Sequence, residues 1–251
     1  LDSANKLLRM GYFEIVESLS LNDRRDPESF INAIHQKRPD LIVLAGGTNR
    51  GASRSVVRLA NYIALALNLL PRAERPELLL VGNENLQGEI EALLGALTPL
   101  TVTTNIRPNL EVENLGPAEE ELAKLYAHIQ ARKVKGFSAL QQGAKGQLVT
   151  SAKGFGRVVR FLSTVIDYPK GILWIDLGSS NTTVAAAFGG DLNLQVHTGL
   201  GMGAGLETML TETPLSQISR WLQADIDDNE ILNYLYNNTI NPASQPISHQ
   251  N

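Results

Sequence analysis

The residues with the clearest chemical potential in this 251-residue sequence lie within GILWIDLGSSNTTVAAAFGG, residues 171–190. A single acid, Asp176, is followed by Gly178 and then by Ser179, Ser180, Asn181 and Thr182. Successive backbone N–H groups in such a turn form an anion-binding concavity, and the polar side chains add donors. An acid at the end of a strand can orient Mg²⁺ through its waters. The pattern therefore indicates a phosphate-binding hairpin, although a plain turn in which the acid bonds its own backbone would use the same residue types.

A second candidate is the glycine-rich segment LAGGTNRGAS at 44–53, which joins an apolar run to an amphipathic helix pattern. Its backbone N–H groups at Gly46, Gly47 and Thr48 could hold a phosphate or carboxylate at the start of the helix. Ligands also favour the carboxyl ends of parallel strands. The alternative is a simple connection in which Ser53 caps the helix. The segment is neither a Walker A loop nor a G-x-G-x-x-G motif.

A third candidate is GLGMGAGLETML at 199–210, a glycine turn that enters a helix. Gly199 and Gly201 could lie over a bound nucleotide, or the glycines could serve only to let the helix pack closely on a sheet. The four histidines are scattered without metal-ligand or catalytic-triad spacing, so no metal site or triad is predicted from them; they are His35, His128, His197 and His249.

Composition limits the function classes. Apolar residues make up 43% of the chain, which is enough for a substantial core, and the formal net charge is −4. That charge gives no global attraction to nucleic acid or to anionic lipid, and no apolar run reaches the length of a membrane span. The chain has no cysteine, which removes disulfides and fits a reducing, cytoplasmic setting. We therefore expect a cytoplasmic protein that binds neither nucleic acid nor membrane.

The first half alternates strand and helix patterns. Apolar runs that predict strands are separated by patterns that predict helices, one of them starting at Asp26-Pro27. This βαβαβαβ order implies a mostly parallel sheet with right-handed crossovers. The predicted strands are 12–19, 40–47, 76–83 and 100–105, and the other two helices are 53–68 and 86–97.

The second half has a different order. Helices are predicted at 116–136 and 152–166, followed by antiparallel strands at 172–177, 182–188 and 191–199. The remainder reads as helical. Its aromatic residues are interpreted as core rather than as a binding face; they are Trp221, Tyr234 and Tyr236. The predicted organisation is a parallel α/β subdomain at 1–115, a hairpin subdomain with a helical end at 116–240, and a flexible tail at 241–251.

The segment IDLGSSNTTVAAA resembles the phosphate-binding hairpin of the actin, Hsp70 and sugar-kinase superfamily. More narrowly, the chain resembles the MutL/GlmL family associated with glutamate mutase, which is unrelated to the mismatch-repair protein of similar name. The order and spacing of the matching motifs hold from about residue 40 to residue 205. These motifs are LAGGTNRG at 44–51, Gly82-Asn83, Asn105-Ile106-Arg107-Pro108, the hairpin DLGSSNTTV at 176–184, and Leu200-Gly201-Met202.

The chain departs from the family pattern at two places in the hairpin and at one place before the later glycine turn. Ser179 stands where the family has a second glycine, and Thr183 stands where it has an acid. The acid that precedes the later glycine turn is replaced by Thr198-Gly199. These changes favour a module that keeps the fold but has lost catalysis.

The resemblance implies a ribonuclease-H-like, actin-type ATPase fold that binds ATP and Mg²⁺, with Asp176 at the metal and Gly178 to Thr182 at the phosphates. It also implies an ATP-binding chaperone or reactivating factor for a cobalamin-dependent aminomutase. Two alternatives stay open: a non-hydrolysing scaffold, and a small-molecule kinase of the same superfamily. The partner expected is a mutase subunit, and a homodimer is left open.

Since the superfamily uses two phosphate hairpins and this chain shows one, we expect it to be a fragment of a longer protein, with at most slow ATPase activity of its own.

Overall fold

The computed structural model describes residues 1–145, 148–166, 168–222 and 226–241. The chain forms two compact units, described in turn below. Unit 1 consists of Leu1–Leu8 and Ile15–Leu148, and unit 2 of Arg9–Glu14 and Val149–Asn251. The domain boundaries predicted from the sequence at 115/116 and 240/241 stay predictions, and residues 242–251 of the predicted tail lie outside the described part of the chain.

Unit 1 is a three-stranded parallel sheet with helices around it. The strand order is β1-β2-β3, and the register pairs Leu44 with Leu80 and Leu80 with Val102. The predicted parallel pairing of the three runs after the first is confirmed. The elements are α1 Asp2–Arg9, α2 Pro27–Lys37, β1 Leu41–Leu44, α3 Arg54–Leu69, β2 Glu77–Leu80, α4 Gln87–Leu94, β3 Leu100–Val102, α5 Gly116–Lys133 and α6 Phe137–Gly143.

The central strand β2 is buried along its whole length, as a strand covered on both faces should be. Helix α3 turns its apolar stripe toward the sheet, and Ala60 and Leu67 are fully buried there. Helix α2 begins where Asp26-Pro27 predicts, because the Asp26 carboxylate accepts a hydrogen bond of 2.7 Å from the Ser29 N–H. The core of this unit therefore follows from the helical and strand periodicities in the sequence.

The strand predicted at 12–19 is wrong. These residues form turn and irregular structure, and no strand pairs with them among the described residues. The phenol of Tyr12 lies 2.7 Å from the Ser151 hydroxyl, and the Phe13 carbonyl accepts a hydrogen bond from Thr198. Residues up to Glu14 group with unit 2, and residues from Ile15 group with unit 1. The segment is therefore held by separate contacts in two places, which prevents the continuous ladder that a strand needs.

A buried acid joins helix α5 to the start of β2. The Glu77 side chain is only 3% exposed, and its Oε1 lies 2.7 Å from Arg132 Nη2 and 3.0 Å from His128 Nδ1. Both distances are within ion-pair range, but neither contact has the angle of a hydrogen bond. The attraction between Glu77 and Arg132 is therefore mainly coulombic, and it holds the last turns of α5 against the sheet.

Unit 2 is an antiparallel sheet covered on one face by a helix, followed by short helices. The strand order is β4-β5-β6, so the three predicted antiparallel strands are confirmed. Helix α7 packs on this sheet through a core that includes Val159, Ala185 and Val196. The elements are α7 Ser151–Val165, β4 Ile172–Leu177, β5 Asn181–Phe188, β6 Asp191–Thr198, α8 Leu206–Glu212, α9 Leu215–Ser219 and α10 Asp228–Ile240.

The expectation of core aromatics near the end of the chain is only partly met. Tyr234 packs beside the buried cluster of Leu206, Ile231 and Leu235. Trp221 is 75% exposed and Tyr236 is 53% exposed, so the core interpretation is wrong for both. Helix α9 ends before Trp221, which removes that residue from the helical stripe that predicted its burial.

Candidate functional site

The hairpin singled out in the sequence is a strand–turn–strand. Strand β4 ends at Leu177 and β5 begins at Asn181, and the Gly178 N–H donates a hydrogen bond of 3.0 Å to the Asn181 carbonyl. The register places Asp176 opposite Thr183. The predicted geometry is confirmed, with the acid near the end of its strand and the glycine in the turn.

Asp176 lies on the same face of β4 as Ile172 and Trp174, because side chains alternate along a strand. Helix α7 covers that face over Trp174, whose ring stacks on Phe155 at 4.9 Å. Asp176 is half-buried, and its carboxylate makes no hydrogen bond or ion pair within the part of the chain that the structure describes. The lone pairs of this carboxylate are therefore available to a cation or to water.

The glycine turn after β6 docks onto the hairpin turn. The Met202 N–H donates to the Gly178 carbonyl at 2.9 Å, and the Gly203 N–H donates to the Ser179 carbonyl at 2.8 Å. The buried Thr182 hydroxyl donates to the Leu200 carbonyl at 2.8 Å. The turn carbonyls are therefore engaged on one side, while Ser179 and Ser180 remain exposed to solvent.

Close packing and backbone conformation explain the glycines of this turn. A Cβ at Gly201 would lie 2.5 Å from the Ser179 carbonyl oxygen and 2.6 Å from the Gly178 carbonyl oxygen. Gly201 is buried against the hairpin, and Gly199 has a φ of +75°, which favours glycine. The close-packing alternative accounts for both residues, and their contact with a ligand stays a prediction.

Thr183 is the departure from the family pattern with the clearest structural consequence. It is 2% exposed and lies directly across from Asp176. Side chains opposite each other in an antiparallel pair have Cβ atoms about 4.5–5.5 Å apart. An acid at this position would therefore stand beside Asp176, and in this chain a hydroxyl takes its place.

The second candidate, the glycine loop at 44–53, belongs to unit 1, whereas the hairpin belongs to unit 2. Gly46 and Gly82 meet at the carboxyl edge of the parallel sheet, since the Asn83 N–H donates to the Gly46 carbonyl at 3.0 Å. Gly47 has a φ of +70°, and a Cβ there would lie 2.5 Å from the Ala52 carbonyl oxygen. The predicted opening of both loops at one sheet edge is confirmed, and ligand contact by Gly46, Gly47 and Thr48 stays a prediction.

A network of asparagine side chains, which was not predicted from the sequence, holds this loop. Asn105 is 1% exposed, and its amide donates to the Gly47 carbonyl at 3.0 Å and to Asn49 Oδ1 at 2.8 Å. Its own Oδ1 accepts from the Arg107 N–H at 2.9 Å, and its N–H donates to Glu84 Oε1 at 3.0 Å. The only signal in the sequence was the family-like Asn-x-x-Pro element, which gave no indication of the partners. Asn105 therefore fixes the path of the backbone through the glycine loop.

Helix α3 begins just after this loop with an uncompensated N-terminus. Ser53 precedes the helix, but its side chain makes no capping hydrogen bond, so the predicted cap is in place without its bond. The first turn contains no acid and starts with Arg54. The partial positive charge of a helix N-terminus is therefore accompanied by a cation, an arrangement that favours an anion.

Two findings limit the kinds of site that the described residues can form. Among the described residues, no group of three or more His, Cys, Asp or Glu side chains could hold a metal ion. Over the same part of the chain, no helix has the length and apolarity needed to cross a membrane. Any Mg²⁺ at Asp176 would therefore take most of its ligands from phosphate and water, as Mg²⁺ commonly does.

Comparison with known proteins places the chain in a family. The family described as MutL protein matches residues 3–251, so the chain belongs to the MutL family, which is associated with glutamate mutase. Protein MutL of Clostridium tetanomorphum is 25% identical over 218 residues, covering 84% of this chain and 45% of the relative. The chain thus spans about half the length of that curated relative. No solved structure matches the chain.

Proposed function

We propose that this chain carries part of the nucleotide-binding machinery of an actin-type ATPase that serves a cobalamin-dependent mutase as a chaperone or reactivating factor. Membership of the MutL family supports the mutase as partner. The observation that carries the nucleotide proposal is the hairpin, in which the half-buried Asp176, without a partner among the described residues, precedes the exposed turn of Ser179 and Ser180. A nucleotide-linked change of shape in the complete protein would be passed to the partner enzyme.

The residues present fit Mg·ATP in chemical type. The turn from Gly178 to Thr182 offers backbone donors and hydroxyls to phosphate oxygens, while Asp176 holds waters of Mg²⁺. The glycine turn donates hydrogen bonds to the Gly178 and Ser179 carbonyls, which hold the backbone of the hairpin turn before ligand binds. Preorganised donors bind charge more strongly than mobile ones, because the ordering cost is met during folding.

We propose the glycine loop of unit 1 as a second anion contact. Its support is the α3 N-terminus with Arg54, together with the backbone path through Gly46 and Gly47 that Asn105 fixes. This loop and the hairpin are tested independently, because they belong to different units of the chain.

Binding of Mg·ATP measured by titration calorimetry tests the nucleotide proposal. Asp176→Asn should weaken Mg²⁺-dependent binding by about tenfold or more, which corresponds to about 1.4 kcal/mol. Asp191→Asn is the matched control, because Asp191 is an exposed acid at the far end of the same sheet. Equal binding by both variants and the unmodified chain would contradict the role of Asp176.

A specific observation favours a second candidate, the non-hydrolysing scaffold. Thr183 removes the acid that the family pattern would place beside Asp176, and Ser179 adds a side chain to the turn. The scaffold predicts partner binding without nucleotide binding. Thr183→Asp separates the two candidates through Mg²⁺-dependent nucleotide binding. A second carboxylate beside Asp176 should strengthen that binding in a working site, whereas a scaffold should bind no nucleotide with or without the substitution.

A further inference from the structure

Helix α7 has a second apolar face that the core of unit 2 does not use. One face, with Ala152 and Val159, is fully buried against the sheet. The outer face carries an apolar stripe at helical spacing, in which Val158 is 49%, Phe161 62% and Val165 57% exposed. Contiguous exposed apolar side chains of this size commonly mark an interaction site.

A basic stripe runs beside the apolar one. Arg157 and Arg160 are exposed and lie one turn apart on the outer face of α7. The helix sequence contains no acid, and neither arginine forms an ion pair with a residue in the described part of the chain. In a chain with a formal net charge of −4, this is a local concentration of positive charge next to apolar surface.

We infer that this outer face of α7, formed by Val158, Phe161, Val165, Arg157 and Arg160, docks an apolar protein surface that carries carboxylates along one side. The inference rests on the proposed function in one respect, since it assigns that surface to the mutase. Phe161 is the anchor, because aromatic side chains and arginines contribute disproportionately to binding free energy at the centre of an interface. The arginines meet carboxylates of the partner and set the orientation of docking.

The arrangement of charges on α7 favours a protein rather than an anionic membrane as the partner of its outer face. A helix that lies in a membrane surface carries a broad polar face with cations on it, opposite an apolar face that enters the lipid. On α7 the cations lie along one side of the apolar stripe only. The other side is closed by Phe155, which stacks on Trp174, and by the partly buried Leu162. The exposed apolar stripe is therefore limited to Val158, Phe161 and Val165 with cations along one side, and this arrangement favours a protein partner over a lipid surface.

Binding of the 251-residue chain to purified cobalamin-dependent glutamate mutase from the same organism tests the inference. Phe161→Ser should weaken binding at least tenfold, and Val158→Ser provides a second test on the same stripe. The double charge reversal Arg157→Glu, Arg160→Glu should slow association and reduce its dependence on salt. Leu65→Ser is the matched control, because Leu65 is 53% exposed on helix α3 of the other unit. Circular dichroism establishes that each variant keeps the native helix content.

The outcomes separate the inference from the proposed function. If the unmodified chain does not bind the mutase, both the partner and its docking face are wrong. If it binds and the α7 variants bind equally well, the docking face is wrong while the mutase remains the partner. Binding to vesicles of phosphatidylcholine and phosphatidylserine in equal parts, lost in the same variants and without mutase binding, would assign the face to lipid and overturn the inference.

Discussion

Replacing Asn105 with alanine should destabilise unit 1 far more than the size of the side chain suggests. The side chain makes three hydrogen bonds, to the Gly47 carbonyl, Asn49 Oδ1 and the Arg107 N–H. Each such bond stabilises a protein by about 1 kcal/mol net, and buried partners left unpaired cost about 1–3 kcal/mol. Asn49 Oδ1 keeps a second donor, the Glu84 N–H at 3.2 Å, so losing the hydrogen bond to Asn49 costs the least of the three. We expect a loss of about 3 kcal/mol in the free energy of unfolding.

Urea denaturation followed by far-ultraviolet circular dichroism measures this loss. With a denaturant dependence of about 1–3 kcal/mol per molar, the midpoint should fall by about 1–3 M. Asn61→Ala is the control, because Asn61 is an exposed asparagine on helix α3 whose amide bonds only to the Val57 carbonyl one turn earlier. That variant should stay within about 0.5 kcal/mol of the unmodified chain. If Asn105→Ala costs no more than Asn61→Ala, the network does not hold the loop and the reasoning is refuted.

Three further predictions concern charge and catalysis. Arg132→Ala should destabilise the chain by about 3 kcal/mol, because it leaves Glu77 buried without its nearest cation, and adding Glu77→Leu should recover most of that loss in denaturation experiments. The hydrogen bond from Lys6 lowers the pKa of Glu113, so this pair stabilises the fold above the ordinary glutamate pKa of about 4.3 and stops doing so as pH falls through the lower folded value. Lys6→Met should therefore reduce the free energy of unfolding by less than about 1 kcal/mol at pH 7, and by progressively less below pH 4. A loss that is constant with pH would contradict this. Steady-state ATPase of the purified chain should be far below about 1 s⁻¹, since a single hairpin supplies donors from one side only, and turnover at ordinary enzyme rates that Asp176→Ala abolishes would show that the full site lies within these residues.

The parts of the fold that periodicity controls could be predicted from the sequence. Continuous apolar runs ending in glycine or asparagine gave the parallel strands, and apolar–polar–apolar patterning around Gly178 gave the hairpin. Both follow from local rules, because each element's pattern is contained within the element itself. The same rules wrongly predicted a strand at 12–19, because the structure of this segment depends on which of the two units each residue contacts.

The parts that depend on contacts between distant residues could not be predicted. Asn105 and Asn49 are 56 positions apart, and nothing in either neighbourhood indicates that their amides meet. The docking of Gly201 on the Ser179 carbonyl likewise depends on the fold around it, although the glycine itself raised close packing as an alternative. The residue types of the candidate site could therefore be predicted from the sequence, whereas the hydrogen bonds that fix their positions are known only from the structure.

The most direct test of the nucleotide proposal is a titration of the uniformly ¹⁵N-labelled chain with Mg·ADP, followed by amide chemical shifts. We predict that the largest changes fall on Gly178, Ser179 and Ser180, that they require Mg²⁺, and that Asp176→Asn removes them. Changes at Gly46 and Gly47 would support the second anion contact separately. A titration that leaves the hairpin amides unmoved at saturating nucleotide would contradict the central claim, whatever the behaviour of the glycine loop.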